Sequence, residues 1–572
     1  MDFDESLEKM ILGQSLDGEL GQIPEFDSTV HKYVQSLISE HDLRVIGTSA
    51  EGEVFISEED RESHIHILGA PGEGKSKFLE MMVSMDIDAL LSGKSKSGAC
   101  FIDSSDNGNT MKKVLKYCAH RGFEKVLLID PHNIQDFGYV VPINPLNYKA
   151  PSEAMQGHIT DSIRVLWDTK FSEEAIITTY LPHVIDALHT SKMTLPDSEC
   201  LTIRELAGQR AKLLSGALSF TSKLFFQRVF TKERDWQEFQ STCRRLNPFF
   251  HSVMKATLGS VVGVDFRKLI TDGWIILVNL YKEGVFEERH QRLLGTLILN
   301  EIIQAMSRIR HHSPDYRIPY YVYVDEFGKY ATKKIADMLY YSRQSGLRMN
   351  LAHQEFEQID KSVMSAVRSA AKSKVLFYVT NPDDRHQMVR MMYGGDLSDR
   401  TVEFTLSQTK KQNAVIKINK GSPVLARIRD WPDAPVTSQQ LKDFITKLYT
   451  SNPQLYRPKD EVWGEIKNRF AYAKEAPQLV RRTNLAPKKG SDIEVSQRGT
   501  GNVRPTVGKG NSVQPGRAEG NPDIYNAEAD GRQDEDIPVS WDIPVDDSDV
   551  KSPQERGDSK TDKRGIGKRG KG

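Results

Sequence analysis

Residues 64–82 read HIHILGAPGEGKSKFLEMM, and this stretch decides the fold. Gly69, Ala70, Pro71, Gly72, Glu73, Gly74, Lys75 and Ser76 spell G-x-x-x-x-G-K-S. The motif follows an apolar run and opens a segment in which Phe78, Met81, Met82, Met85 and Ala89 share one helical face. A phosphate-binding loop needs this strand-then-helix setting. Gly72 and Gly74 can adopt backbone angles that turn successive N–H groups toward phosphate oxygens. The helix N-terminus adds positive dipole. Lys75 is expected to reach the β- and γ-phosphates and Ser76 to ligate Mg²⁺, with Lys77 closing the loop. ATP and Mg²⁺ are therefore the expected ligands. The eight-residue pattern arises by chance in about 2 of 100 chains this long, and the required flanks lower that further.

Outward from the loop, the same style repeats. His64–Leu68, Cys100–Asp103, Val126–Asp130, Trp274–Leu280, Tyr320–Asp325, Arg348–Ala352 and Lys374–Val379 are short apolar runs separated by helical patterns. Little polar alternation within the runs predicts a mainly parallel sheet covered on both faces. Ala414–Ile418 and Pro423–Ile428 flank Asn419-Lys420-Gly421, which predicts a β-hairpin at the sheet edge. Residues 151–255 carry helical patterns without clear strands. The organisation expected is a lead-in over 1–44; a first core segment over 45–150, with a strand at Val54–Ser57; an all-α insertion over 151–255; a second core segment over 256–450; a helical segment over 451–476; and a charged tail over 477–572. In the tail apolar periodicity stops, which predicts disorder. Eleven Asp or Glu fall in 519–549 and eight Lys or Arg in 551–572. Trp541 stands alone there as a candidate docking residue.

The 572 residues carry 77 Lys and Arg against 78 Asp and Glu. No whole-chain basic excess advertises nucleic acid, so any DNA-binding surface must be local. Arg244-Arg245 and Lys410-Lys411 are the local candidates. Cys100, Cys118, Cys200 and Cys243 form no metal-type spacing and read as reduced, buried thiols of a cytoplasmic protein. His64 and His66 read as structural, and His311-His312 as a surface loop. No stretch has the ~18 apolar residues of a membrane span. Contact with the inner membrane would come through partners.

VDEFGKY, residues 324–330, puts Asp325 and Glu326 at the end of an apolar strand. Nucleotide hydrolysis needs one carboxylate for the Mg²⁺ shell and another to polarise the attacking water. Asp325 suits the first task and Glu326 the second. Further on, LAHQEFEQI places Gln354 at the tip of another strand, suited to sensing the γ-phosphate or the water. Arg343 and Arg348 are candidates for a cation that reaches a nucleotide, in this subunit or the next.

Several blocks in this order are similar to the HerA/FtsK superfamily of ring-forming DNA pumps, and most of all to type IV coupling proteins of conjugation: EEDRESHIHILGAPGEGKS, FIDSSDNG at 101–108, LLIDPHN with VPINPLN ending at Asn147, VDFRKLITDGWIILVNL at 264–280, VDEFGKY and LAHQEFEQI. The resemblance implies an α/β, RecA-like P-loop NTPase core interrupted by an all-α domain. It implies a homo-hexameric ring with ATP between subunits, sequence-independent DNA in the channel, and relaxase or secretion-system partners. It implies phosphate and Mg²⁺ roles for Lys75 and Ser76, and motor roles for Asp325, Glu326 and Gln354. The chain departs from the family in lacking N-terminal transmembrane helices, and in reading Asp103-Ser104-Ser105-Asp106 where the family has Asp-Pro-His-Gly or Asp-Pro-Lys-Gly. Other processes fit the same motor: DNA-end processing or defence, protein secretion, or an ATP-gated docking scaffold.

Overall fold

The computed structural model describes residues 44–471, except 106–107, 147–150, 165–170, 282–285, 333–334, 341–345 and 395–410. Arg343, Lys410, Asp106, Asn147, the start of the lead-in and the charged tail with Trp541 lie outside the described residues.

The chain begins with β1 (Arg44–Ser49), β2 (Gly52–Ile56) and β3 (Ile65–Leu68), followed by helix α1 (Lys75–Leu91). Then come β4 (Ala99–Asp103), α2 (Asn109–Arg121), β5 (Val126–Ile129) and the two-residue β6 (Tyr139–Val140). Between β6 and β7 (Ile275–Asn279) the described residues are helical, with α3 (Ser152–Arg164), α4 (Phe171–Thr190), α5 (Phe220–Thr231), α6 (Glu233–Cys243) and shorter turns. This insertion has a core of its own, in which Phe226, Phe239 and Trp236 are buried and Phe230 packs beside them. After β7 follow α7 (Glu288–His312), β8 (Tyr320–Val324), β9 (Leu347–His353), α8 (Lys361–Ala370), β10 (Ser373–Leu376) and α9 (Pro382–Tyr393). The chain then forms β11 (Asn413–Lys417), β12 (Val424–Ile428), α10 (Ser438–Ser451), β13 (Arg457–Pro458) and α11 (Lys459–Ala471).

Eleven strands form one sheet in the order β2-β1-β12-β11-β10-β3-β9-β8-β4-β7-β5. From β10 to β5 every pairing is parallel. Every residue of β3, β4, β5, β7 and β8 is buried, because both faces of these strands are covered. The chain thus has the α/β, RecA-like P-loop core with a helical interruption. The β11–β12 hairpin forms as expected, but it is not the sheet edge. β1 pairs antiparallel with β12 and carries β2 outside it. Ile46 and Ile56 bury their side chains by this extension; the polar Arg44 and Gly47 within β1 hid the strand from its pattern. His311 and His312 are exposed, but they end helix α7 instead of lying in a loop, where they suit the negative end of its dipole.

Beneath the sheet lies a buried ionic cluster. Arg61 donates to both carboxylate oxygens of Asp86 on α1, at 2.8 and 3.1 Å, and Arg44 pairs with the same carboxylate. The Tyr323 hydroxyl of β8 also bonds Asp86 and accepts from Arg61. Burial alone would raise the Asp86 carboxyl; the guanidiniums, Arg61 ahead of Arg44, outweigh it and hold it below its ordinary range. The cluster locks α1 to β8. Glu58, half-buried, also pairs with both arginines, so removing the Asp86 carboxylate would leave two buried cations sharing that one counter-charge. Asp86→Ala is expected to cost about 3–5 kcal/mol, and Tyr323→Phe, which removes one hydroxyl, about 1–2 kcal/mol. Urea unfolding measures both; equal small losses would contradict the shared role of Asp86.

Candidate nucleotide site

The phosphate loop stands at the carboxyl ends of three neighbouring strands. The Gly69 N–H donates to the His353 carbonyl at the end of β9, and the Ala70 N–H to the Tyr378 carbonyl just beyond β10. Both flanks are therefore pinned. Gly72 and Gly74 have φ of 80° and 129°, as their proposed task requires. At Gly74 there is also no room for a side chain: a Cβ would lie 2.9 Å from the Phe377 ring. Gly74 is also the residue before helix α1, whose first N–H groups have no partners within the helix.

Lys75 is buried and curls over its own loop, donating to the carbonyls of Gly69 at 2.7 Å and Ala70 at 3.0 Å. Burial lowers its pKa, opposed by Asp325, Glu326 and Glu73. The Ser76 hydroxyl donates to Asp325 Oδ2 at 2.6 Å. Because β9 lies between β3 and β8, Gln354 rises between the loop and the acidic pair. Its Nε2 donates to Glu326 Oε1 at 2.5 Å. Glu326 has φ 59°, ψ 46°, a left-handed conformation uncommon outside glycine. That turn directs the chain away from the strand immediately after Asp325. Proline, serine and the other loop positions, with exposed Lys77, complete the segment 69–77.

Asp103 and Ser104, at the tip of β4, form the floor. Asp103 is buried, accepts the Met111 N–H at 3.0 Å and the Ser105 hydroxyl at 2.6 Å, and Ser104 donates to the Asp325 carbonyl at 3.0 Å. Sequence reading assigned these two residues no role, since the block departs from the family pattern; their strand-tip position was the available signal. Burial first, and the Asp103 carboxylate second, push Asp325 up to about 6 against the Ser76 hydrogen bond.

The residues present fit a Mg²⁺ ion. A serine hydroxyl and a carboxylate share one position beside the loop, and both are hard oxygen ligands. Among the described residues no cluster of three or more His, Cys, Asp or Glu could hold a metal. Mg²⁺ held by one carboxylate together with substrate phosphates does not require one.

The other candidates fall away from this centre. Arg348 is the second residue of β9, at the end of the strand opposite Gln354, roughly 20 Å away at about 3.3 Å per residue. Its charge acts on His64 and Arg310. Arg244 and Lys411 are exposed and Arg245 half-buried. All four cysteines are buried and free. His64 lies just before β3 and its Nδ1 accepts the Met349 N–H at 2.9 Å. His66 Nε2 lies 2.7 Å from His353 Nε2, while His353 Nδ1 lies 3.0 Å from the Glu355 carbonyl. A carbonyl only accepts, so His353 carries its proton on Nδ1 and His66 donates from Nε2. Burial keeps both rings neutral, His353 down at about 4. Both histidines are structural, holding β3 against β9.

No protein-family model matches the chain, and no curated protein matches it in sequence. Solved structures do match. The bacterial conjugative coupling protein TrwBdeltaN70, in a trigonal form with sulphate, superimposes with a TM-score of 0.51 at 13% identity, over 70% of this chain and 93% of that one. In fold, this chain is similar to TrwB. The unbound monoclinic form of TrwBdeltaN70 gives 0.50 at 14% identity, over 70% and 94%. Plasmid coupling protein TrwB in complex with the non-hydrolysable GTP analogue GDPNP gives 0.50 at 12% identity, over 70% and 93%. The likeness to TrwB supports the RecA-like architecture derived above. No helix among the described residues is long and apolar enough to cross a membrane.

The raised carboxyl of Asp325 has a consequence for stability. A carboxylate whose folded pKa lies above its unfolded value near 3.9 destabilises the fold when ionised. The penalty is present above pH 6 and fades as pH falls from 6 toward 4. Asp325→Asn keeps an oxygen for Ser76 and removes the charge. Without nucleotide, the variant is expected to be more stable than the parent at pH 7.5, by up to about 3 kcal/mol, and to lose most of that advantage at pH 4.5. Denaturant titrations at the two pH values check the sign.

Proposed function

We propose that the chain is an ATPase that couples hydrolysis to the movement of DNA, in conjugative or mobile-element transfer through a type IV secretion-like system. The observation that carries the hydrolytic part is the pair of contacts Ser76–Asp325 and Gln354–Glu326 around one loop. A nucleotide-binding protein that only binds has no use for the second carboxylate and its glutamine partner. In this reading Lys75 leaves the loop carbonyls for the β- and γ-phosphates, and the N–H groups of residues 72–77 cradle the chain of phosphates. Mg²⁺ held by Ser76 and Asp325 would neutralise charge on the β- and γ-oxygens. Glu326 takes the proton of the attacking water, and Gln354 orients Glu326. An arginine from a neighbouring subunit, Arg343 or Arg348, would stabilise transition-state charge.

The DNA part rests on the fold likeness to a conjugative coupling protein, together with the ordered sequence blocks. A motor of this kind contacts phosphates and needs no base reading, so a near-neutral chain is compatible with it. A ring of six copies is proposed on the same ground. Relaxase or secretion-system proteins are the proposed partners, with the charged tail as their docking segment and attachment at the inner membrane through them.

Lys75→Ala and Glu326→Gln are each expected to lower turnover at least about 100-fold, with Glu326→Gln still binding nucleotide. Retention of turnover in both variants would overturn the site. Single- or double-stranded DNA is expected to stimulate the parent protein and to bind it in a salt-sensitive way. If neither happens, the protein-pumping or scaffold reading replaces DNA movement. Sedimentation with nucleotide and DNA tests the hexamer.

A further inference from the structure

His66 and His353 hold β3 against β9, and the second of them is also attached to the residues around Gln354. The two rings lie within 7° of one plane, with their centres 5.0 Å apart. With the Nε2 atoms 2.7 Å apart, rings so placed meet tip to tip. His66 Nδ1 is buried and meets no partner among the described residues, so a proton on His66 finds an acceptor only from Nε2. That proton takes the lone pair of His353 Nε2 and leaves His353 to carry its own on Nδ1. Phe356 packs beside both rings, its centre 5.9 Å from that of His66 and 5.6 Å from that of His353.

The His353 Nδ1–H reaches the Glu355 carbonyl at 3.0 Å. Gln354 lies between these two residues, just past the end of β9, where the sheet no longer fixes the backbone. The bond closes a small ring across it. Contacts on either side complete the hold. The His353 carbonyl accepts the Gly69 N–H at 3.4 Å, and the Phe356 N–H donates to Asp384 Oδ2 at 3.0 Å. Of these three bonds, the one from the His353 ring is the one that spans Gln354. His353 thus ties the phosphate loop with its carbonyl and the glutamine's backbone with its ring.

We propose that His353, its proton held on Nδ1 by His66, is a positioning residue for hydrolysis: it fixes the backbone of Gln354 so that the side chain stays on Glu326. This rests on the hydrolytic reading of the site. The Gln354–Glu326 contact is 2.5 Å, and a swing of the backbone would break it. The bond from Gly69 to the His353 carbonyl is a backbone bond and survives a change of side chain. The role therefore concerns the chemical step and not nucleotide binding.

Two substitutions separate the ring's two contacts. Asparagine carries an amide nitrogen as far along the side chain as Nδ1, so His353→Asn retains a donor for Glu355 and gives up the contact with His66. Glutamine reaches as far as Nε2, so His353→Gln retains an acceptor for His66 and gives up the donor to Glu355. kcat and KM for ATP are measured on the full chain with Mg²⁺, and urea midpoints alongside. His353→Asn is expected to be the less stable variant and yet to keep kcat within about threefold of the parent. His353→Gln is expected to lose about tenfold or more in kcat, with KM changed by no more than about threefold. Activity and stability then run in opposite orders, which a histidine that only joins β3 to β9 would not produce. Parent-like kcat in His353→Gln overturns the proposal, as does equal slowing of the two variants or a loss that falls on KM. Imidazole nitrogen NMR shifts of the parent, which need no variant to fold, are expected to place the His353 proton on Nδ1; a proton on Nε2 overturns the proposal as well. A parent that does not hydrolyse ATP overturns the hydrolytic reading and the proposal with it, whereas a hydrolysing parent matched by His353→Gln sinks only the role of His353.

Discussion

The hydrogen bond from Ser76 to Asp325 joins residues 249 positions apart, and the arrangement of the whole sheet serves it. β3 delivers the loop and β8 delivers the carboxylate. β9 separates them by one strand and fills the gap with Gln354. The parallel register, with Leu68 opposite His353 and Val324 opposite Leu351, sets all three strand tips near one level. A change in strand order would leave each motif intact and the site dispersed.

That convergence puts like charges together. Asp103, Asp325 and Glu326 come together at one place, and Lys75 lies against Asp325 and Glu326. The apo site is therefore under electrostatic stress, which the raised carboxyl of Asp325 registers. The cluster of Arg44, Arg61, Asp86 and Glu58 is the opposite case, since its two cations meet two carboxylates. One buried ionic group suits binding a cation and an anion together, and the other suits holding α1 to β8. The same helix, α1, begins at the first and bears on the second, so the loop is positioned from both ends.

Much of this was legible in the sequence. The phosphate loop, the strand-ending Asp325-Glu326 and the strand-tip Gln354 each combine a chemical residue type with a periodic apolar run, and local pattern carries both. Six of the seven parallel strands were found within a residue at either end for the same reason, and β10 ends three residues before its expected run does. What was not legible depends on contacts remote in sequence. β1 has a polar residue and a glycine in its pattern, and it becomes a strand by pairing with β12. Asp103 and Ser104 acquire their place from the end of β8, more than 200 residues away. Arg348 is near Gln354 in sequence, but extended backbone carries it to the far end of the strand, away from the site of its own subunit.

The neighbours of β3 also bear on how the chain is made. Both strands that flank it, β9 and β10, follow it by some 280 residues or more. At about 5–20 residues per second, a ribosome needs roughly 15–60 s to produce the first of them after β3 has emerged. Throughout that interval an apolar strand and its glycine-rich loop have both edges unpaired, the state most prone to pairing with other chains. The helical insertion, synthesised in the middle of the wait, has local contacts and its own aromatic core, so it can fold while the sheet cannot. The nucleotide site is thus a late product of synthesis, and a chain truncated before β9 has the phosphate loop in its sequence with no scaffold to shape it.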